Sequence, residues 1–146
     1  LHIRHYVHVG VAVDTPGGLL VPVLRDVDAM SIYDISRELQ AISQKARDGR
    51  CLPMDMKGAS MSVSSLGGIG GDYFTPIVNP PQVAILGVSQ ARKRPVWNEA
   101  QGVFLPRLLL PLSLSYDHRV IDGAEALRFL NTLMHRLSVP SLTQLI

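Results

Sequence analysis

The apolar and polar positions of this chain change period several times, and each change predicts an element. From Tyr6 to Val13 valine recurs around a single glycine, Gly10, as in a strand buried on both faces. Asp14-Thr15-Pro16-Gly17-Gly18 is turn chemistry, and Leu19 to Leu24 reads as a second strand that closes a hairpin. Pro22 marks that strand as an edge or a bulge, and Asp26 to Met30 is a linker. From Ser31 to Gly49 the period becomes helical, with Ile32, Ile35, Leu39, Ile42 and Ala46 on one stripe. Ser31 is placed as N-cap with Asp34 three residues on, Lys45 and Arg47 suit the last turn, and Gly49 suits the C-cap. Pro53 to Lys57 predicts a single helical turn, and Ala59 to Ser65 alternates as a strand. A glycine-rich loop, Leu66 to Asp72, leads to a short extended piece, Tyr73 to Val78, and then to the break Asn79-Pro80-Pro81. Gln82 to Ser89 predicts a buried strand, Pro95 to Trp97 a short one, Asn98 to Gly102 a turn and Phe104 to Tyr116 a long strand. Asp122 to Leu137 predicts a helix with Ala124, Leu127, Leu130, Met134 and Leu137 inward, ended by Pro140 and followed by a short apolar tail, Ser141 to Ile146. Strands interleaved with two helices predict a mixed α/β domain.

Composition narrows the function classes. The chain has 146 residues, enough for one domain with its own core. Hydrophobic residues are 47% and charged residues 18%, which excludes a disordered chain and hints at surface buried in an oligomer. A net charge of +2 is too small to point to nucleic acid or to a membrane surface. Cys51 is the only cysteine, so an internal disulfide is excluded and a reducing compartment fits. No run reaches the apolar length of a membrane helix, and no signal peptide is visible. The first residue is Leu1 rather than Met and a strand follows closely, so the N-terminal part of a longer protein is expected to be missing.

The stretch from Ser113 to Ala124 carries the strongest chemistry. An apolar run delivers His118 to the end of a strand, and Asp122-Gly123 opens a helix four residues later. An unperturbed imidazole titrates near pH ~6.5, which suits a general base acting on a thiol or a hydroxyl. A lone histidine more often just caps a turn, but the adjoining Asp122-Gly123 and the strand behind it favour catalysis here. His2, His5, His8 and His135 lack that context and read as structural. Asp122 holds the turn, orients its neighbours or caps the helix, and capping is compatible with catalysis. A metal reading of His118 and Asp122 is disfavoured, because no second histidine stands at ligand spacing. Ser64 and Ser65 end a strand just before the glycine loop. A hydroxyl there is placed to donate to an oxyanion, to act as a nucleophile, or only to start a turn. The nucleophile is disfavoured without a G-x-S-x-G elbow. The loop Gly67 to Gly71 matches neither nucleotide-binding glycine pattern, and Arg92-Lys93-Arg94 reads as a solvated face, with contact to a phosphate as the lesser alternative.

Ser115-Tyr116-Asp117-His118-Arg119-Val120-Ile121-Asp122-Gly123-Ala124 resembles the signature of dihydrolipoamide acyltransferases, the catalytic core of 2-oxo acid dehydrogenase complexes. The resemblance continues through Val9 to Pro16, Leu19 to Val23, Ser36 to Gly49, Ser64 to Gly71, Thr75 to Gln82, Ile85 to Ser89 and Pro95 to Asn98, nearly the whole chain. The Gly-Gly-Ile-Gly-Gly loop and the Pro-Val-Trp segment most resemble bacterial pyruvate-complex members. Gly17, Ser62 and Ser65 depart from the residues commoner in the family, and none of the three changes removes a catalytic group.

The resemblance implies a two-layer α/β fold like chloramphenicol acetyltransferase, a mixed β-sheet with helices packed on one side. Residues 1–146 would be the C-terminal portion of one acyltransferase catalytic domain, without its opening helices and first strand and without the lipoyl and subunit-binding modules. It implies a homotrimer with its active site in a channel between subunits, assembling into a core of twenty-four or sixty copies. Its partners would be lipoyl domains and the dehydrogenase and decarboxylase components, in the bacterial cytoplasm or, if eukaryotic, the mitochondrial matrix. The implied reaction moves an acyl group, acetyl by the nearest resemblance, between dihydrolipoamide and coenzyme A. His118 would be the general base, Ser64 the oxyanion donor and Asp122 the residue that fixes the turn; the lipoyl group would arrive on a separate module. Coenzyme A contacts are left unassigned. Two rivals are an inactive core subunit of the same fold and a Ser-His-Asp hydrolase built from Ser64, His118 and Asp122.

Overall fold

A valine-rich strand with a glycine at its centre leaves room there for a neighbouring side chain. The computed structural model, which describes residues 3–138, uses Gly10 in that way. A Cβ there would meet Ser62 Oγ at 2.5 Å and Val21 Cγ1 at 3.0 Å, so the Ser62 hydroxyl and Val21 fill the space a side chain at position 10 would need. The N-terminal hairpin forms in two tiers. β1 (Val9–Val11) pairs antiparallel with β4 (Val23–Leu24), while β2 (Val13–Thr15) pairs with β3 (Gly18–Leu20) as a separate ribbon. Pro22 lies between β3 and β4, fully buried, and its carbonyl accepts the Val11 amide at 2.9 Å. A residue with no N–H to donate thus sits where only its acceptor is used.

Helix α1 (Ile32–Arg47) follows the capping logic of the sequence. Ser31 Oγ accepts the Asp34 amide at 3.1 Å, and Gly49 takes a positive φ of 68° at the other end. Ile42 and Ala46 are buried, Ile35 and Leu39 half-buried, and Ile32 faces solvent. A 3-10 turn, Pro53–Met56, is tied back to the helix by Lys45 Nζ on Asp55 Oδ2 at 2.7 Å.

Three further strands, β5 (Met61–Ser65), β6 (Ala84–Val88) and β9 (Leu112–Tyr116), complete a five-stranded sheet of order β4-β1-β5-β6-β9. Its middle pairs, β1 with β5 and β5 with β6, are parallel, and its outer pairs are antiparallel. Alternation and register put Val11, Met61, Ser65, Ala84 and Leu114 on one face. Both helices line clefts on that face, α1 beside Val11 and Ser65 and α2 (Gly123–Ser138) beside Met61, Ala84 and Leu114. The result is the expected two-layer arrangement, with helices on one side of a mixed sheet. The other face carries mostly small residues, Gly10, Ser62, Ser64, Gly87, Ser113 and Ser115, with Ile85 among them.

Three expectations need correction. The long strand from Phe104 to Tyr116 is two strands: β8 (Val103–Leu109), which pairs with β7 (Arg92–Asn98) in a hairpin of its own, and β9 in the main sheet. Pro111 stands between them, unable to donate an amide, and its carbonyl accepts Ser89 N at 3.1 Å. The short strand expected at Pro95 to Trp97 is the whole of β7, because β8 lies beside it along its full length. On α2, Leu127 (56% exposed), Met134 and Leu137 (59%) face outward, and Ala126 is the buried residue. The helix is apolar on two stripes, and the sheet takes the one whose small Ala126 allows close approach. Pro140 and the tail from Ser141 to Ile146 lie outside the described residues.

Candidate active site

The turn between β9 and α2 is built from short-range hydrogen bonds and one long-range tie to the sheet. The Asp117 amide donates to Val83 O at 2.8 Å and ties the turn to the start of β6, while the Asp117 carbonyl accepts Val120 N (2.9 Å) and Ile121 N (3.0 Å). The Asp117 carboxylate accepts the Arg119 amide at 3.0 Å, Nε at 2.9 Å and Nη2 at 2.6 Å. That guanidinium, and after it the Arg119 amide, lowers the Asp117 carboxyl to about 2. Between the two clamped residues His118 is exposed, its ring tilted against Tyr116 with centroids 5.8 Å apart. Asp122 Oδ1 accepts the Glu125 amide at 2.8 Å and its carbonyl accepts Ala126 N at 3.0 Å, so Asp122 is the N-cap of α2. Capping fixes the far end of the turn that presents His118. Reading the sequence for acid–base groups passed over the Asp117–Arg119 clamp, although a carboxylate and a guanidinium flanking one histidine were its visible signal. A cavity of about 710 Å³ opens beside the turn, lined by Arg4, Pro81, Val83, Tyr116, Arg119 and Val120 among others.

Ser64 lies elsewhere. It is half-buried near the end of β5, in register with Gly87 on β6 and through it with Ser113 on β9. Ser65, the next residue, faces the helix layer and lines the cleft under α1, so the two serines point to opposite faces as strand geometry requires. Ser64 is thus two strands across and three residues along from Tyr116, a Cα separation of about 14 Å from strand spacing and rise. The chain brings His118 and Asp122 together and leaves Ser64 at the opposite end of the sheet. A serine hydrolase needs nucleophile and base within hydrogen-bond reach, and Ser64 and His118 of one chain do not meet that condition. Among the described residues no group of three or more His, Cys, Asp or Glu side chains comes together as a metal site. No helix among them is long and apolar enough to cross a membrane.

The basic run on β7 is not simply solvated. Arg94 Nη2 meets Asp72 Oδ2 at 2.6 Å and Arg92 Nη1 meets Asp72 Oδ1 at 3.3 Å, so the cluster grips the glycine-rich loop.

The comparisons with known proteins agree with this architecture. Residues 1–145 match the 2-oxoacid dehydrogenases acyltransferase (catalytic domain) family. The chain is 54% identical over 133 residues to the dihydrolipoyllysine-residue acetyltransferase component of the pyruvate dehydrogenase complex of Haemophilus influenzae, covering 91% of this chain and 23% of that protein. It superposes with a TM-score of 0.84, at 57% identity, on the dihydrolipoamide acetyltransferase of Azotobacter vinelandii, over 89% of this chain and 53% of that one. The role of a serine, a histidine and an asparagine in the catalytic mechanism has been investigated in that relative, where the histidine and asparagine stand four residues apart, as His118 and Asp122 do here. The cubic core of the pyruvate dehydrogenase multienzyme complex matches with a TM-score of 0.83 at 56% identity, over 88% of this chain and 52% of that chain. The chain spans about a quarter of the length of the curated relative and about half of the solved chains. With the family matched over nearly its full length, the chain belongs to the 2-oxoacid dehydrogenase acyltransferases and carries part of their catalytic domain.

Proposed function

We propose that this chain is the His118-bearing part of an acetyltransferase that moves an acetyl group between dihydrolipoamide and coenzyme A in a pyruvate dehydrogenase-type complex. The observation that carries this reading is the exposed His118 on a clamped strand–helix turn, four residues ahead of the helix cap Asp122. Both substrates are thiols, mostly protonated at neutral pH because a free thiol has a pKa near ~8.5. His118 takes the proton from the attacking thiol. The thiolate adds to the thioester carbonyl, and the tetrahedral intermediate places negative charge on the former carbonyl oxygen. Ser64 donates a hydrogen bond to that oxygen. Collapse expels the second thiolate, which recovers the proton from His118. No covalent enzyme intermediate is needed once both substrates lie in one channel. Asp122 acts by holding the turn, as a positioning residue.

His118 and Ser64 of a single chain are too far apart to serve one carbonyl, so the base of one copy works with the hydroxyl of a neighbour. An apolar face on the β7–β8 hairpin, with Trp97, Phe104 and Leu108 exposed, supports burial against further copies in a homotrimer. Trimers of this kind would build a larger core in the bacterial cytoplasm, served by lipoyl domains and by the decarboxylase and dehydrogenase components. Mixed particles test the proposal. His118→Ala and Ser64→Ala should each be nearly inactive in the full-length protein. Co-assembled in equal amounts they should recover about one working site in four, the fraction in which an intact base meets an intact hydroxyl across an interface. No recovery would show that each site draws both residues from one copy. An inactive wild-type particle would leave the structural-core reading in its place.

A further inference from the structure

We propose that Asp72, held between Arg92 and Arg94, is a positioning residue for Ser64: it clasps the loop after β5 onto the β7–β8 hairpin, so that Phe74 stays seated beside the serine. The proposal rests on the reading of Ser64 as the oxyanion donor.

The connection from β5 to β6 is long, and its backbone is pliant where Gly70 and Gly71 take φ of 120° and 93°. Two contacts pin its later part. Phe74 and Pro76 lie over Gly87, where a Cβ would be 2.9 Å from Phe74 Cζ and 3.2 Å from Pro76 Cδ. Ser62 Oγ donates to Gln82 Oε1 at 2.6 Å. The earlier part is pinned by Asp72, whose two carboxylate oxygens go to two different arginines, 2.6 Å to Arg94 and 3.3 Å to Arg92. The hairpin creates the demand for that carboxylate, since its register sets Arg94 directly opposite Arg107, an unfavourable pairing of like charges. The Arg94 guanidinium in turn holds the Asp72 carboxyl below the ordinary range, so the clasp is fully charged at neutral pH.

Register links this clasp to the serine. Gly87 is the cross-strand partner of Ser64, and neighbouring strands lie about 4.8 Å apart, so the Phe74 ring over Gly87 stands next to the Ser64 side chain on the helix-free face. Phe74 is two residues beyond Asp72 in the chain. A hydrogen-bond donor stabilises an oxyanion best when it is aimed in advance and kept from competing water. The ring supplies one wall of that enclosure, and the clasp keeps the ring down. Releasing it lets water compete for Ser64, a loss felt in the transition state more than in substrate binding.

The test uses the full-length assembled protein, with particle size checked by light scattering. Asp72→Asn keeps the shape and removes the charge. It should lower kcat by about two- to tenfold, the range for a pair of half-exposed ion pairs, with KM for coenzyme A and for the acetyl-dihydrolipoamide unchanged. Arg94→Gln should reproduce the effect, Asp72→Glu should restore most of the turnover, and high salt should bring the wild type toward the Asp72→Asn value. In a Ser64→Ala background Asp72→Asn should do nothing further, because the residue it positions is gone. An unchanged kcat in Asp72→Asn, or the same fractional loss with Ser64 already removed, overturns the proposal. Full activity in Ser64→Ala sinks the oxyanion reading instead, whereas a crippled Ser64→Ala beside an unaffected Asp72→Asn sinks the clasp alone.

Discussion

Around His118 most supports are local, Asp117 with Arg119, Asp117 with Val120 and Ile121, Asp122 with Glu125 and Ala126, and one is long-range, the Asp117 amide on Val83 O. Around Ser64 they come from far along the chain: Gly87 in register, Phe74 above it, and Asp72 reaching across twenty and more residues to Arg92 and Arg94. The first region draws a single tie from the sheet, at Val83, whereas the second exists only once the sheet and the hairpin are both in place. His118 is therefore set mostly by its own turn, and Ser64 by tertiary structure.

The sharpest way to break this contrast is at the proposed base, His118. His118→Ala should reduce turnover by roughly 10²–10⁴-fold, the worth of a positioned general base, with little change in substrate affinity; near-normal kcat in steady-state assays would remove His118 from the mechanism. Next comes the serine pair. Ser64→Ala should lower kcat by roughly 10²–10³-fold while Ser64→Thr keeps much of it, and Ser65→Ala should be mild because that side chain faces the helix layer. The reverse pattern would mean that the outward face of β5 has been assigned to the wrong serine. Gly87→Ala probes the long-range support. Its methyl would be forced against Phe74 at 2.9 Å and should destabilise the fold by about 1–3 kcal/mol in denaturant titration, with a fall in turnover that the same substitution at the open position Gly68 does not cause. The smallest effect belongs to the local clamp. With its carboxyl lowered from 3.8 to about 2 by Arg119, Asp117 contributes stability that is present above pH ~4 and is lost as the pH falls through about 2. Acid titration followed by circular dichroism should show that limb in the wild type and lack it in Asp117→Asn.

The same contrast explains what could be read from the sequence. Helix α1 was legible because Ser31, the stripe from Ile35 to Ala46 and Gly49 all act within a few residues of one another. The His118 turn was legible for the same reason, and Asp122 showed its cap position by preceding Gly123. The path from Phe104 to Tyr116 was not, because one apolar run serves two sheets and only Pro111 hints at the exchange. On α2 two apolar stripes compete, and periodicity cannot say which of them the sheet will cover. The pairing of Asp72 with Arg94 and the distance between Ser64 and His118 both depend on strand order, a property of the assembled sheet that no local pattern records.

The β7–β8 hairpin has a consequence in time as well as in space. Its seven cross-strand pairs, Arg92 with Leu109 through Asn98 with Val103, join residues close in sequence across the turn at Gly102. Closing such a ribbon needs little loop entropy, so it forms on the scale of about 1–10 μs, ahead of the parallel pairing of β5 with β6. A two-stranded ribbon buries little of its own, and so in a copy not yet assembled it also opens readily. In an unassembled copy, amide protons of β7 and β8 should therefore exchange with deuterated water well before those of β6, which is bonded on both sides. Because Arg92 and Arg94 ride on that ribbon, its opening before assembly is also the release of Asp72.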